Sequence, residues 1–140
     1  MKVDLSIDTK RLQAKLKATQ KEIDVKVKKA LLQTAQFGTT IILDRTEVGV
    51  GYVGKFKPYT SSYSAFRAKR GRKTTPDLNF TGKMLGSIQS RNVKKGVAEI
   101  YFSRATEAKK AAFNNELRPF FGFNVQEQNR LAKFFQGRFK

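Results

Sequence analysis

Apolar residues recur at intervals of three, four or seven over the first third of the chain: Leu12, Leu16, Ile23, Val27, Leu31, Thr34, Gly38 and Ile41 or Ile42. That spacing lines them along one side of an α-helix, and a helix with such a stripe needs another element to cover it. Residues 8 to 47 are therefore predicted to be helical, capped by Asp8 or Thr9 and ending by Glu47. One long helix, or two broken near Thr19 to Ile23, fits the pattern equally. Lys15, Lys17, Lys21, Lys26, Lys28 and Lys29 lie away from the stripe and read as the solvated face of an amphipathic helix.

The 140 residues suit a single domain, large enough to bury roughly two thirds of the surface it exposes when unfolded. Its 29 cations and 11 anions give a net charge of +18, a field that attracts polyanions and repels copies of the same chain. Nucleic acid or an acidic protein neighbour would answer that charge equally well. With no cysteine and no histidine there is no disulfide framework, thiolate or imidazole, and the carboxylates are too scattered to form a catalytic pair. No enzyme activity and no cofactor is expected. The N-terminal "MKVDLSIDTK" lacks a signal-peptide pattern, and no segment approaches the roughly 20 apolar residues of a membrane span. The expectation is a soluble protein made in a cytosol.

The charge is most concentrated between Lys55 and Lys73, where Lys55, Lys57, Arg67, Lys69, Arg70, Arg72 and Lys73 occur without one anion. These seven are the candidate residues facing DNA or an acidic partner. Phe56, Tyr59, Tyr63 and Phe66 are set among them. The helical spacing of Tyr59, Tyr63 and Phe66 predicts rings turned to a core or a neighbour, separable from the cations. "SSYSAFRAKRG" predicts a short helix capped by Ser61 or Ser62 and stopped at Gly71.

Before it, Gly49, Gly51 and Gly54 match G-x-G-x-x-G in letters only. The dinucleotide fingerprint needs a strand before and a helix after; here a helix precedes and Pro58 follows, so a flexible loop is expected. "TGKM" lacks the spacing of a phosphate-binding loop.

Further on, Thr81 can cap a helix over "GKMLGSI", with Met84, Leu85 and Ile88 at helical spacing. "SIQSRNV" and "GVAEIYFS" flank "KKG", a hairpin in which Gly96 supplies the positive φ and Ala98, Ile100 and Phe102 alternate with Val97, Glu99 and Tyr101. "ATEAKKAAFNNEL" reads as a helix, "RPFFGF" as an apolar turn, and Asn124 as the cap of a last helix bearing Val125, Leu131, Phe134 and Phe135. The expected class is α+β: a long N-terminal amphipathic helix, short helices, a central β-hairpin or small antiparallel sheet, and a C-terminal helix. The single domain divides into a helical part (8–47), a basic Gly/Pro loop region (48–80) and a helix-hairpin-helix-helix part (81–140).

This order of elements, with Pro58 to Tyr63 ("PYTSSY"), Leu78 to Ile88 ("LNFTGKMLGSI") and Arg118 to Gly122 ("RPFFG"), resembles the small tail-completion and neck proteins of tailed bacteriophages, the HK97 gene-10-like and phage virion morphogenesis families. The resemblance spans most of the chain. It implies a structural virion protein at the head-tail interface, made in the bacterial host cytoplasm. Copies of it would form a ring around the DNA channel, between head-completion or adaptor proteins and tail-terminator or tail-tube proteins, with no membrane involved. Tyr59, Tyr63, Met84, Leu85, Arg118, Phe120 and Phe121 are then the candidate assembly or core anchors. For the Arg118 to Gly122 turn two uses stand level: an Arg capping carbonyls while Phe120 and Phe121 fill the core, or an anchor between subunits. Outside the resemblance, a sequence-independent nucleic-acid-binding accessory protein is the alternative.

Overall fold

The computed structural model describes residues 10 to 139. Seven elements follow one another: α1 (Lys10–Glu47), α2 (Ser61–Lys69), α3 (Lys83–Gly86), β1 (Ile88–Lys94), β2 (Val97–Phe102), α4 (Ala105–Leu117) and α5 (Val125–Phe139). The class is α+β, with a long N-terminal helix, a two-stranded antiparallel sheet and a C-terminal helix. The expected caps Asp8 and Thr9 lie outside the described residues, as does the side chain of Leu12.

α1 runs unbroken through Thr19 to Ile23 for 38 residues, about 57 Å at the helical rise. Lysine, alanine, leucine and glutamine fill its first turns, and neither glycine nor proline interrupts it before Gly38. It ends by a Schellman turn: the Gly49 N–H reaches the Thr46 carbonyl (3.0 Å) and the Val50 N–H that of Arg45 (2.9 Å), with Gly49 at φ +80°. A helix of this length exceeds the diameter of a small domain. Its two halves consequently differ. Leu16, early in the stripe, is 61% exposed and Ile23 is also exposed, whereas Ala30, Ile41 and Ile42 are buried.

The covered half packs on both strands and on α5. Gly38 allows a close approach, since a Cβ there would lie 2.8 Å from the Phe123 ring and 3.1 Å from Ile100. The core gathers Ile42, Phe56, Leu78, Met84, Ile88, Ala111 and Phe120, with Leu43, Leu85, Ile100, Phe102, Phe121 and Phe123 against it. β1 and β2 pair in the register Ile88↔Phe102 to Asn92↔Ala98, then slip at a bulge so that Lys94 faces Val97. Gly96 turns the hairpin at φ +75°. α5 starts in a capping box: Asn124 Oδ1 accepts from the Glu127 N–H (2.8 Å) and Glu127 Oε1 from the Asn124 N–H (3.1 Å).

Two local expectations are corrected. The segment after Thr81 forms a single turn, Lys83–Gly86, because Ile88 is already drawn into β1. The glycine segment is tied down instead of flexible. Val50 and Lys55 form an antiparallel bridge, the Gly51 N–H donates to Gly54 O (2.8 Å), and the Tyr52 N–H donates to Pro119 O (3.2 Å). A Cβ on Gly51 would overlap the Pro119 carbonyl oxygen, so glycine is what lets this loop seat on the Arg118 to Gly122 turn.

Candidate functional site

The basic segment is built around α2. Thr60, one residue before the expected caps, accepts from the Tyr63 N–H through its hydroxyl (3.3 Å). The helix closes on Gly71 at φ +68°, with the Arg72 N–H on Arg67 O and the Gly71 N–H on Ala68 O. Tyr63, Phe66 and Arg67 stand at helical intervals on α2, and Arg70 follows as its C-cap residue.

Arg67 is the first correction to the set of outward cations. It is 1% exposed. Its Nη2 donates to Asp77 Oδ1 (2.8 Å) and to Asn79 O (3.2 Å), and its Nε donates to Lys73 O (2.7 Å). The guanidinium also lies over Tyr59, 5.0 Å from the ring centroid. Every contact turns Arg67 inward, so it fastens the basic loop to α2 and is not one of the outward-facing cations. Asp77, also buried, accepts from the Asn79 N–H (3.0 Å) and shapes a turn in which Leu78 takes φ +55°, a conformation rare for a branched side chain.

Tyr59 is held between two arginines. Its hydroxyl accepts from the Leu78 N–H (3.1 Å), and Arg118 covers the ring at 4.6 Å. Burial pushes its phenol above the usual tyrosine value, and the Leu78 N–H opposes that rise in part. Arg118 reaches across from the end of α4, donating from Nε to Lys57 O (2.7 Å) and from Nη2 to Pro58 O (3.1 Å). Next to it, Asn115 Oδ1 accepts from the N–H groups of both Phe120 and Phe121 (3.0 Å each). Phe120 is fully buried, while Phe121 is half-buried and lies 4.9 Å from the Phe102 ring. Met84 is buried and Leu85 half-buried in the same core. Within this chain Arg118, Phe120 and Met84 thus have intramolecular partners.

The second correction concerns the rings. Tyr59 meets Tyr63 edge-on at 4.9 Å, Tyr63 stacks on Phe66 at 6.0 Å, and Phe66 stacks on Phe80 at 5.8 Å. Arg70 lies 3.6 Å from the Phe66 centroid and Arg72 5.5 Å from that of Phe80. Tyr63 is 37% and Phe66 40% exposed. Rings and cations are not separable here: they alternate on one surface ladder, because guanidinium groups settle on aromatic faces while staying wet.

Lys55, Lys57, Lys69, Arg70, Arg72 and Lys73 are exposed, and Lys73 also approaches Glu47 (3.6 Å) in a solvent-screened pair. Four contributors escaped the sequence reading. Asp77 is the first anion after the basic run, which was the available signal. Phe80 stands fourteen residues beyond its stacking partner Phe66. Asn115 and Arg45 act across the fold. Arg45 donates to Phe120 O (2.9 Å) and to Gly122 O and pairs with Glu127 (3.2 Å), and no local pattern announces such contacts.

Among the described residues no group of His, Cys, Asp or Glu is placed to hold a metal ion, and no helix is long and apolar enough to cross a membrane. No protein-family model, curated protein or solved structure matches the chain. The α2 surface offers positive charge to phosphates or carboxylates, and flat rings to other flat groups.

Proposed function

We propose that the chain is a structural subunit of the neck of a tailed bacteriophage, repeated in a ring that joins the portal side of the head to the tail and completes tail assembly. The sequence resemblance supplies the direction. The observation that carries it is the uncovered apolar surface on a protein of strong positive charge: Leu16, Ile23 and Val25 on the projecting half of α1, and Val93 and Val97 at the hairpin tip. Such side chains are left bare when neighbours are meant to cover them. The basic ladder of α2 faces the DNA passage, or an acidic ring beside it, and meets polyanions without reading sequence.

A stop codon placed in the gene tests this. Filled heads and finished tails should accumulate unjoined, and supplying the protein should restore infectious particles. Joined particles in normal yield would reject the neck role.

One observation favours a second reading, a sequence-independent nucleic-acid-binding accessory protein. Exposed rings flanked by arginines form the kind of platform on which unpaired bases stack. That function calls for tight binding to single-stranded DNA that drops with Phe66→Ala, whereas a neck subunit needs only weak contact with duplex.

A further inference from the structure

The projecting half of α1 and the hairpin tip border an open groove of about 670 Å3, separate from the α2 ladder. Ile23, Val27 and Val93 give it an apolar lining, and Lys21, Lys28 and Lys94 stand among them. Asp24 is the one carboxylate among the described lining residues, and it is already engaged by Lys95 (3.4 Å) and the Gln20 amide (2.9 Å). From Ala14 to Lys29 the helix carries six lysines and two carboxylates.

We infer that this groove docks an acidic amphipathic segment of another protein, which sets aliphatic side chains against Ile23, Val27 and Val93 and flanks them with Asp or Glu facing the lysines. Three features select that occupant. The described lining residues include no aromatic ring and no arginine, so none of them stacks on a base or forks onto a phosphate, and a phosphodiester chain would leave the apolar part uncovered. The site is concave, which suits a helix or extended segment better than the flat face of a bilayer. A second copy would bring its own lysines to a lysine rim, a like-charge contact that opposes association. Acidic residues beside apolar ones satisfy both halves of the lining. The inference concerns a different surface from the α2 ladder; it takes up the bare side chains that carry the neck proposal, gives them to a neighbour other than a copy of this chain, and is tested in solution apart from particle assembly.

The full chain is titrated into a fluorescein-labelled peptide of helical pattern, leucine on one face and glutamate on the others, and anisotropy is read. A peptide with serine replacing leucine and one with lysine replacing glutamate serve as controls, alongside a duplex oligonucleotide and phosphatidylglycerol vesicles. The leucine-glutamate peptide should bind best. Ile23→Ser with Val93→Ser should weaken it at least about tenfold, roughly 1.4 kcal/mol. Lys21→Gln with Lys28→Gln and Lys94→Gln should weaken it and flatten its salt dependence. Ile23 and Val93 are exposed, so circular dichroism should show both variants folded. The inference is overturned if the serine-glutamate peptide binds equally, which reduces the effect to bulk charge, or if the serine variant binds unchanged. It is overturned equally if what that variant loses is binding to duplex, binding to vesicles, or self-association in sedimentation.

Discussion

Arg67 in the last turn of α2 and Arg70 at its C-cap stand three residues apart and do opposite things. Nothing in the basic run itself separates them. Their difference is made by Asp77 and by the carbonyls of Lys73 and Asn79, which close around Arg67 and leave Arg70 lying on Phe66 in solvent. Arg67→Ala would strand the buried Asp77 carboxylate, and denaturant unfolding should register a loss of about 3–5 kcal/mol. Arg70→Ala removes an exposed cation from a ring and should cost about 1 kcal/mol or less. Equal losses at the two sites would contradict the buried latch. Tyr59 adds a pH dependence. Its folded pKa lies above the unfolded one, so the unfolded chain releases the phenolic proton first. Stability is intact below about pH 10 and declines as pH rises through the folded value. Unfolding curves of the wild type and Tyr59→Phe, compared across that range, should show a shallower decline in the variant.

At the scale of elements, the Arg118 to Gly122 turn and the glycine segment work as one unit, sealed by Arg118 on Lys57 and Pro58 and by Tyr52 on Pro119. Phe120→Ala should empty a fully buried site and cost about 3–5 kcal/mol, and Phe121→Ala should cost less because that ring is half-buried. Thermal melts of the two variants give the comparison, and equal shifts would contradict the burial difference. The elements governed by local rules were legible in sequence. The α4 segment "ATEAKKAAFNNEL", the Gly96 hairpin and the Asn124 cap follow from periodicity, turn chemistry and short-range hydrogen bonding. What the sequence concealed depends on residues far apart in the chain. The glycine segment looks free until Pro119 arrives against Gly51, and the rings beside the basic run look turned to a core or a neighbour, apart from the cations, until Phe80 extends the stack along the surface. Arg67 left one usable sign, its place four residues after Tyr63 and eight after Tyr59, on the ring side of the helix.

For the whole molecule, charge and exposed apolar surface act together. A net charge of +18 opposes self-association and favours a polyanion or an acidic neighbour, while the bare Leu16, Ile23 and Val25 on α1 ask to be covered. Lys69, Arg70, Arg72 and Lys73 changed together to Gln should leave the melting temperature nearly unchanged, since all four are exposed. If they meet duplex phosphates, the log–log salt slope of DNA binding should flatten by up to about 3–4. An unaltered slope would mean that the cations serve an acidic protein instead. The neck proposal is tested most directly by imaging purified tailed particles of a phage whose genome encodes this protein, labelled with an antibody against it. The prediction is label confined to the junction between head and tail on most intact particles. Label that is absent from particles, or spread over capsid or tail while the junction stays bare, would contradict it.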